Sequence, residues 1–157
     1  MRFGKAEEKD LQELVRLRLA YLEEDFGSLS DEQRGQVEET LPDYLRRRLN
    51  RELLVYTARE EEICACVWLL AVEKPASPAF PSGKTGFVMN VYTAPRCRRQ
   101  GVATRLLRMM LEEAREMGMD VVELKATDAG YPVYRKIGFT DTPMSHHPMT
   151  YRWEKEK

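Results

Sequence analysis

Apolar residues recur along this chain with two periods, one helical and one extended. Between Glu7 and Leu22, the residues Leu11, Leu14, Val15, Leu19 and Leu22 share one helical face. "FGSLS" breaks that pattern. Ser30, three residues ahead of Gln33, fits a capping box, and a second helix is predicted from there towards Asn50, split or kinked at Pro42. Leu53 to Arg59 and Ile63 to Val72 are rich in strand formers, and the acidic turn Glu60–Glu61–Glu62 between them reads as a hairpin. "EKPASPAFPSGKTG", with three prolines and two glycines, is a loop long enough to be either mobile or functional. Gly86 to Thr93 is a strand. A helix runs from about Gln100 to Met117, with Leu106, Leu107, Met110, Leu111 and Ala114 as its stripe and Gly118 closing it. Asp120 to Ala126 is a further strand. Tyr131 to Ile137 is a short helix with Pro132 in its first turn, where a missing N–H costs little, and Gly138 ends it. Met1 to Lys5 is expected as an edge strand, and "GFTDT" and "MTYRW" as closing strands. Strands flanked by helices on a mixed sheet make an α/β or α+β sandwich.

At 157 residues the chain is read as a single domain, 1–157, with enough length to bury a core. Its 43% hydrophobic and 32% charged residues suit a globular protein and argue against disorder. A net charge of −1 argues against a general nucleic-acid binder, so any basic patch is local. No apolar run reaches membrane-spanning length, and "MRFGKAEEKD" shows no signal-peptide pattern. Three cysteines, Cys64, Cys66 and Cys97, are an odd count, so free thiols in a reducing cytoplasm are expected. His146 and His147 are adjacent and too few for a metal site, and none is expected.

The densest chemistry lies in "APRCRRQGVATRLLRMMLEEA". Arg96, Arg98 and Arg99 precede Gly101 just where a helix begins. The first turn of a helix has unpaired N–H groups and a partial positive charge, which suits an anion. Gly101 lets the backbone approach a ligand, Ala103 and Thr104 keep the next positions slim, and Arg98 and Arg99 can add charge-assisted hydrogen bonds. A diphosphate fits such a site. The stretch is neither a Walker A loop nor a dinucleotide-binding fingerprint, since the required glycines are missing. The competing reading is a solvated basic cluster ahead of an ordinary helix.

"VYTAPRCRRQGVATRLL" resembles the acyl-CoA-binding motif of the GNAT N-acetyltransferases, Arg/Gln-x-x-Gly-x-Gly/Ala, met by Arg98, Gly101 and Ala103. "VYRKIGF", from Val133 to Phe139, is similar to the family's C-terminal Tyr-x-x-x-Gly-Phe segment, in matching order and spacing. The match spans about Val88 to Phe139. The resemblance implies an α+β fold with a central, mixed, mostly antiparallel sheet of about six or seven strands and about four helices. It implies acetyl-CoA as co-substrate, with the pantetheine arm bonded by the backbone of Val91, Tyr92 and Thr93. Arg98, Arg99, Gln100, Gly101, Val102, Ala103 and Thr104 would hold the pyrophosphate. The strand "GFVMNVYT" must then splay from "DVVELKA". Tyr134 matches the tyrosine that protonates the leaving thiolate, a role that suits a phenol with a pKa of about 10. Where many members carry an Asn ahead of the last helix, this chain has Thr127, and Arg99 stands where glycine is common.

The base that takes the amine proton is less defined, and Glu123, on the strand beside the expected splay, is the first candidate. "YLEEDFG" offers Glu23, Glu24 and Asp25 as an acidic mouth for an amine, with a solvated helix end as the plainer reading. Transfer of an acetyl group to a small-molecule or protein amine competes with two other functions. One is a non-catalytic CoA-binding sensor. The other is a nucleic-acid module built on "RCRRQ" and "YLRRRLNR", against which the acidic remainder and the lack of interleaved aromatics argue. A homodimer is in keeping with the resemblance.

Overall fold

The computed structural model describes residues 1–155; residues 156 and 157 of the expected single domain lie outside it. The elements run β1 (Arg2–Lys5), α1 (Leu11–Phe26), α2 (Asp31–Arg48), β2 (Leu53–Arg59), β3 (Ile63–Glu73), β4 (Lys84–Thr93), α3 (Val102–Glu116), β5 (Val121–Leu124) and α4 (Tyr131–Ile137). They form one sheet in the order β1-β2-β3-β4-β5, antiparallel except for the parallel β4–β5 pair that α3 connects. Helices cover both faces. Tyr56 of β2 donates to Glu113 of α3 at 2.6 Å, whereas the preceding Val55 is in register with Trp68, which lies beneath Arg18 of α1. Alternate strand residues point to opposite faces, so α1 and α3 cover opposite sides of the sheet. That explains why Leu53–Ala58 and Ile63–Leu69 are unbroken buried runs rather than alternating ones.

The α+β class and the mixed, mostly antiparallel sheet with four helices agree with the sequence, but the sheet has five strands, not six or seven. Neither "GFTDT" nor "MTYRW" forms a strand. Strand propensity is realised only against a partner, and no backbone hydrogen bond among the described residues ties the chain after Phe139 to β5. Met149, Tyr151 and Trp153 are exposed there, and Tyr151 packs edge-on to Trp153 at 4.8 Å.

The helices also differ from expectation in detail. A single 3₁₀ turn, Glu8–Asp10, precedes α1. The capping box of α2 forms in both directions, Gln33 N to Ser30 Oγ at 3.1 Å and Ser30 N to Gln33 Oε1 at 2.9 Å. Pro42 does not split α2, which is continuous to Arg48. Half-buried Pro42 lines a groove with Leu11, Val15 and Leu19 of α1, and this packing outweighs one lost helical hydrogen bond. The connection 74–83 is tied down by Lys74 N to Gly83 O at 2.8 Å and by Ser82 Oγ to Asp120 at 2.6 Å.

Candidate active site

The site begins with a change of partner along β4. From Thr85 to Val88 it pairs with Val121 to Leu124 of β5, and there the ladder stops. β4 continues to Thr93 with β3 alone beside it. Its register with β3 jumps from Trp68↔Asn90 to Leu69↔Val88, so Met89 is a bulged residue. A bulge bends and twists its strand and ends pairing nearby, and here it lies where β4 and β5 part. The edge of β4 from Met89 to Thr93 keeps backbone donors and acceptors with no strand to take them.

Beyond Thr93 the chain makes a short turn, Pro95–Cys97, and enters α3 through two left-handed residues, Arg99 (φ 62°) and Gly101 (φ 74°). A non-glycine residue in that region costs about 1–2 kcal/mol, so Arg99 is held there by the turn around it. A Cβ built on Gly101 would meet no atom within 4 Å. The turn opens onto a groove of about 400 Å³ lined by Val91, Tyr92, Thr93, Arg98, Arg99, Gly101, Val102, Ala103, Thr104, Thr127 and Tyr134. Ten of the eleven cofactor-binding candidates therefore share one cavity with Tyr134. Gln100 does not line it; its side chain donates to the Arg96 carbonyl at 3.2 Å. Arg98 is already engaged. Its Nε donates to the Thr93 carbonyl at 2.8 Å, its Nη2 pairs with Glu24, and its guanidinium lies 5.9 Å from the Tyr92 ring centre. Thr127 accepts from Gly130 N at 3.1 Å through Oγ1 and from Tyr131 N at 2.9 Å through its carbonyl, so it shapes the entry to α4.

Tyr134 is half-buried, and its hydroxyl makes no hydrogen bond among the described residues. Burial, aided by the nearby Tyr21 phenol, pushes its pKa up to about 12. A Cβ on Gly130 would come within 2.9 Å of its ring, so glycine there lets the ring sit against the turn. A second cavity of about 350 Å³ meets the groove at Tyr134 and Thr127 and is otherwise lined by Tyr21, Asp25, Phe87 to Val91 and Leu124 to Ala126.

The structure does not bring Glu123 to either of these cavities. Its half-exposed carboxylate pairs with Lys74 at 3.6 Å, and it lines a neighbouring cavity of about 380 Å³ that Tyr134 also borders. The acidic mouth is likewise divided. Glu23 pairs with Arg34, Glu24 pairs with Arg98, and Asp25 alone lines the second cavity. Asn90 lines that cavity too, with Oδ1 accepting from Arg18 at 3.0 Å and Nδ2 facing Cys66 Sγ at 3.6 Å. Cys64, Cys66 and Cys97 are buried free thiols, and burial pushes Cys66 up to about 12. Sequence reading missed Arg18. The signal was present, since residue 18 falls seven after Leu11 and four after Leu14, on the apolar stripe of α1. Among the described residues no cluster of ligands suits a metal ion, and no helix is long and apolar enough to cross a membrane.

The family profile described as the acetyltransferase (GNAT) family matches residues 12–139. The chain belongs to that family and is an acetyltransferase. It is similar to a predicted acetyltransferase from Clostridium acetobutylicum, solved with acetyl-CoA, at 30% identity and a TM-score of 0.83 over 95% of each chain. A GCN5-related N-acetyltransferase from Ralstonia eutropha JMP134 has the same fold at 24% identity and a TM-score of 0.80, over 94% of this chain and 97% of that one. An aminoglycoside acetyltransferase from an uncultured soil metagenomic sample shares the fold at 17% identity and a TM-score of 0.67, over 96% of each chain. No curated protein matches the sequence.

Proposed function

We propose that the chain transfers the acetyl group of acetyl-CoA to a primary amine within a ternary complex. The observation that carries this reading is one groove in which the unpaired edge of β4, the α3 entry turn and Tyr134 meet. The residues present fit acetyl-CoA. The free edge of β4 suits the amides of the pantetheine arm. The first N–H groups of α3 and the Arg99 guanidinium suit the pyrophosphate, and the space a Cβ on Gly101 would occupy is open. The similar Clostridium protein, solved with acetyl-CoA, supports the same co-substrate.

The amine enters through the cavity that holds Asp25 and Tyr134. Asp25, which lines this cavity where Glu123 does not, is the base: its carboxylate, directly or through water, accepts the proton the ammonium must lose. The amine nitrogen then bonds to the thioester carbon, and the carbon–sulfur bond breaks. Tyr134 holds a proton at its hydroxyl throughout the neutral range, because burial keeps its pKa far above the working pH. It donates that proton to the departing sulfur, so CoA leaves as a thiol, and the second proton lost by the nitrogen returns the phenolate to phenol, leaving a neutral amide. Release of free thiol, followed over a panel of amines, tests this. Amine-dependent release that collapses in Tyr134→Phe supports the reading, and a protein that binds acetyl-CoA yet releases no thiol with any amine contradicts it.

A further inference from the structure

Four arginines among the described residues are half-buried: Arg18, Arg34, Arg48 and Arg59. Three of them face carboxylates. Arg34 pairs with Glu23 and Glu38, Arg48 with Glu52, and Arg59 with Asp10 and Glu13. Arg18 pairs with none among the described residues. Its Nη1 donates to Asn90 Oδ1 at 3.0 Å and to the Met89 carbonyl at 3.4 Å, and its guanidinium lies over the rings of Tyr21 and Trp68 at 5.5 and 5.9 Å. All four partners are neutral. The carboxylate of Asp25 acts on it only from beyond ion-pair range, and burial draws its pKa down from the ordinary arginine value. A cation taken partly out of water without a counter-charge is costly, and every other half-buried arginine of this chain avoids that cost.

The free side of Arg18 is the one that matters. Among the described residues Nε and Nη2 have no hydrogen-bond acceptor, yet no fully enclosed side-chain nitrogen or oxygen there lacks one, so neither atom is sealed off. Together they form the edge of a guanidinium that engages both oxygens of a carboxylate. Arg18 is not itself in the lining of the cavity shared by Asp25 and Tyr134, but Asn90, Met89 and Tyr21, the groups that fix it, all are, so its guanidinium adjoins that wall.

Resting on the acetyl-transfer reading of that cavity, we infer that the acceptor is an amine that also carries a carboxylate, of the amino-acid class, with Arg18 as the residue that selects it. Arg18 takes the carboxylate, while Asp25 faces the ammonium and directs it towards Tyr134. The opposed charges of the ligand match the opposed charges of Arg18 and Asp25. Asn90 holds the guanidinium in place and is itself anchored on Cys66.

The test uses matched probes that differ only in the carboxylate: tyrosine against tyramine, lysine against cadaverine, arginine against agmatine, and alanine against ethylamine. Binding to the full-length protein saturated with CoA is measured by calorimetry, which needs no turnover, and acetyl transfer is measured alongside. At least one carboxylated member should bind about tenfold or more tighter than its partner, the scale of a charge-assisted bond. Arg18→Gln should collapse that ratio, and Arg18→Lys should keep part of it. CoA binding by each variant reports that it has folded; should Arg18→Gln fail this check, the wild-type ratio still decides. Binding indifferent to the carboxylate, a ratio that survives in Arg18→Gln, or no binding by any probe overturns the inference. Acetyl transfer to amines without carboxylate preference would overturn it and leave the transferase reading intact. Carboxylate-dependent binding without transfer would support it and overturn that reading instead.

Discussion

The two halves of β4 have similar backbones and opposite fates. From Thr85 to Val88, β5 takes the outer hydrogen bonds and side chains fill the space around the strand: a Cβ on Gly86 would meet Leu69 Cδ1 and Met119 Sδ, each at 2.8 Å. From Met89 to Thr93 no strand takes the outer edge, where arginine side chains reach only the Met89 and Thr93 carbonyls, and the turn that follows leaves Gly101 with no neighbour within 4 Å of a built Cβ. Gly86 makes room for protein, whereas Gly101 is exposed, as Gly27 and Gly138 are. What sets the second half apart is a strand edge with no partner strand beside Tyr134.

Substitutions should separate the halves. The largest effect is expected at Tyr134, where Phe should lower kcat for acetyl transfer by about 10²–10⁴, with the KM for acetyl-CoA moving far less. The wild-type pH profile belongs to the same test. A raised pKa means that the donor proton is present below about pH 12 and lost only as pH rises through that value. The rate should therefore show no alkaline fall near pH 8–10 attributable to Tyr134; such a fall, absent in Tyr134→Phe, would keep Tyr134 as the donor and contradict its raised pKa. Next comes Gly101→Val, which should weaken acetyl-CoA binding about tenfold or more by calorimetry, through the loss of backbone approach, and cost about 1–2 kcal/mol for its positive φ. Gly86→Val should do the reverse, with a loss of about 1–3 kcal/mol in denaturant melts from overpacking and an unaltered acetyl-CoA dissociation constant. The smallest effect is expected from Glu24→Gln. It removes a negative charge from the groove and frees Arg98, but the pair is about half-exposed, so a gain of no more than about fivefold in acetyl-CoA affinity is expected.

The same contrast explains what could be read from the chain. The closed parts were legible because they repeat local rules. The stripe of α3, the β2–β3 hairpin and the Ser30 capping box each follow from a few neighbouring residues. The α3 entry turn was legible because Arg98, Gly101 and Ala103 sit together. The open parts depend on long-range pairing. "GFVMNVYT" carries no mark of the Met89 bulge, since one continuous apolar run fits a regular or a bulged strand. The direction of Glu123 could not be told without the register of β5, which was expected to extend from Asp120 to Ala126 but spans only Val121 to Leu124. Glu24 and Arg98 are 74 residues apart, so their pairing across the groove had no local sign. "MTYRW" has the alternation of a strand and nothing to pair with.

The most direct measurement is thermal melting of the full-length protein with and without acetyl-CoA, for the wild type and for Arg98→Glu/Arg99→Glu. At about 100 times its dissociation constant, a ligand of the native state adds about 2.7 kcal/mol, which raises the Tm of a domain this size by several degrees. A groove built by the open half of β4 and the α3 entry predicts that upward shift in the wild type and its loss in the charge-reversed protein. No shift in the wild type, or an equal shift in both, would contradict it.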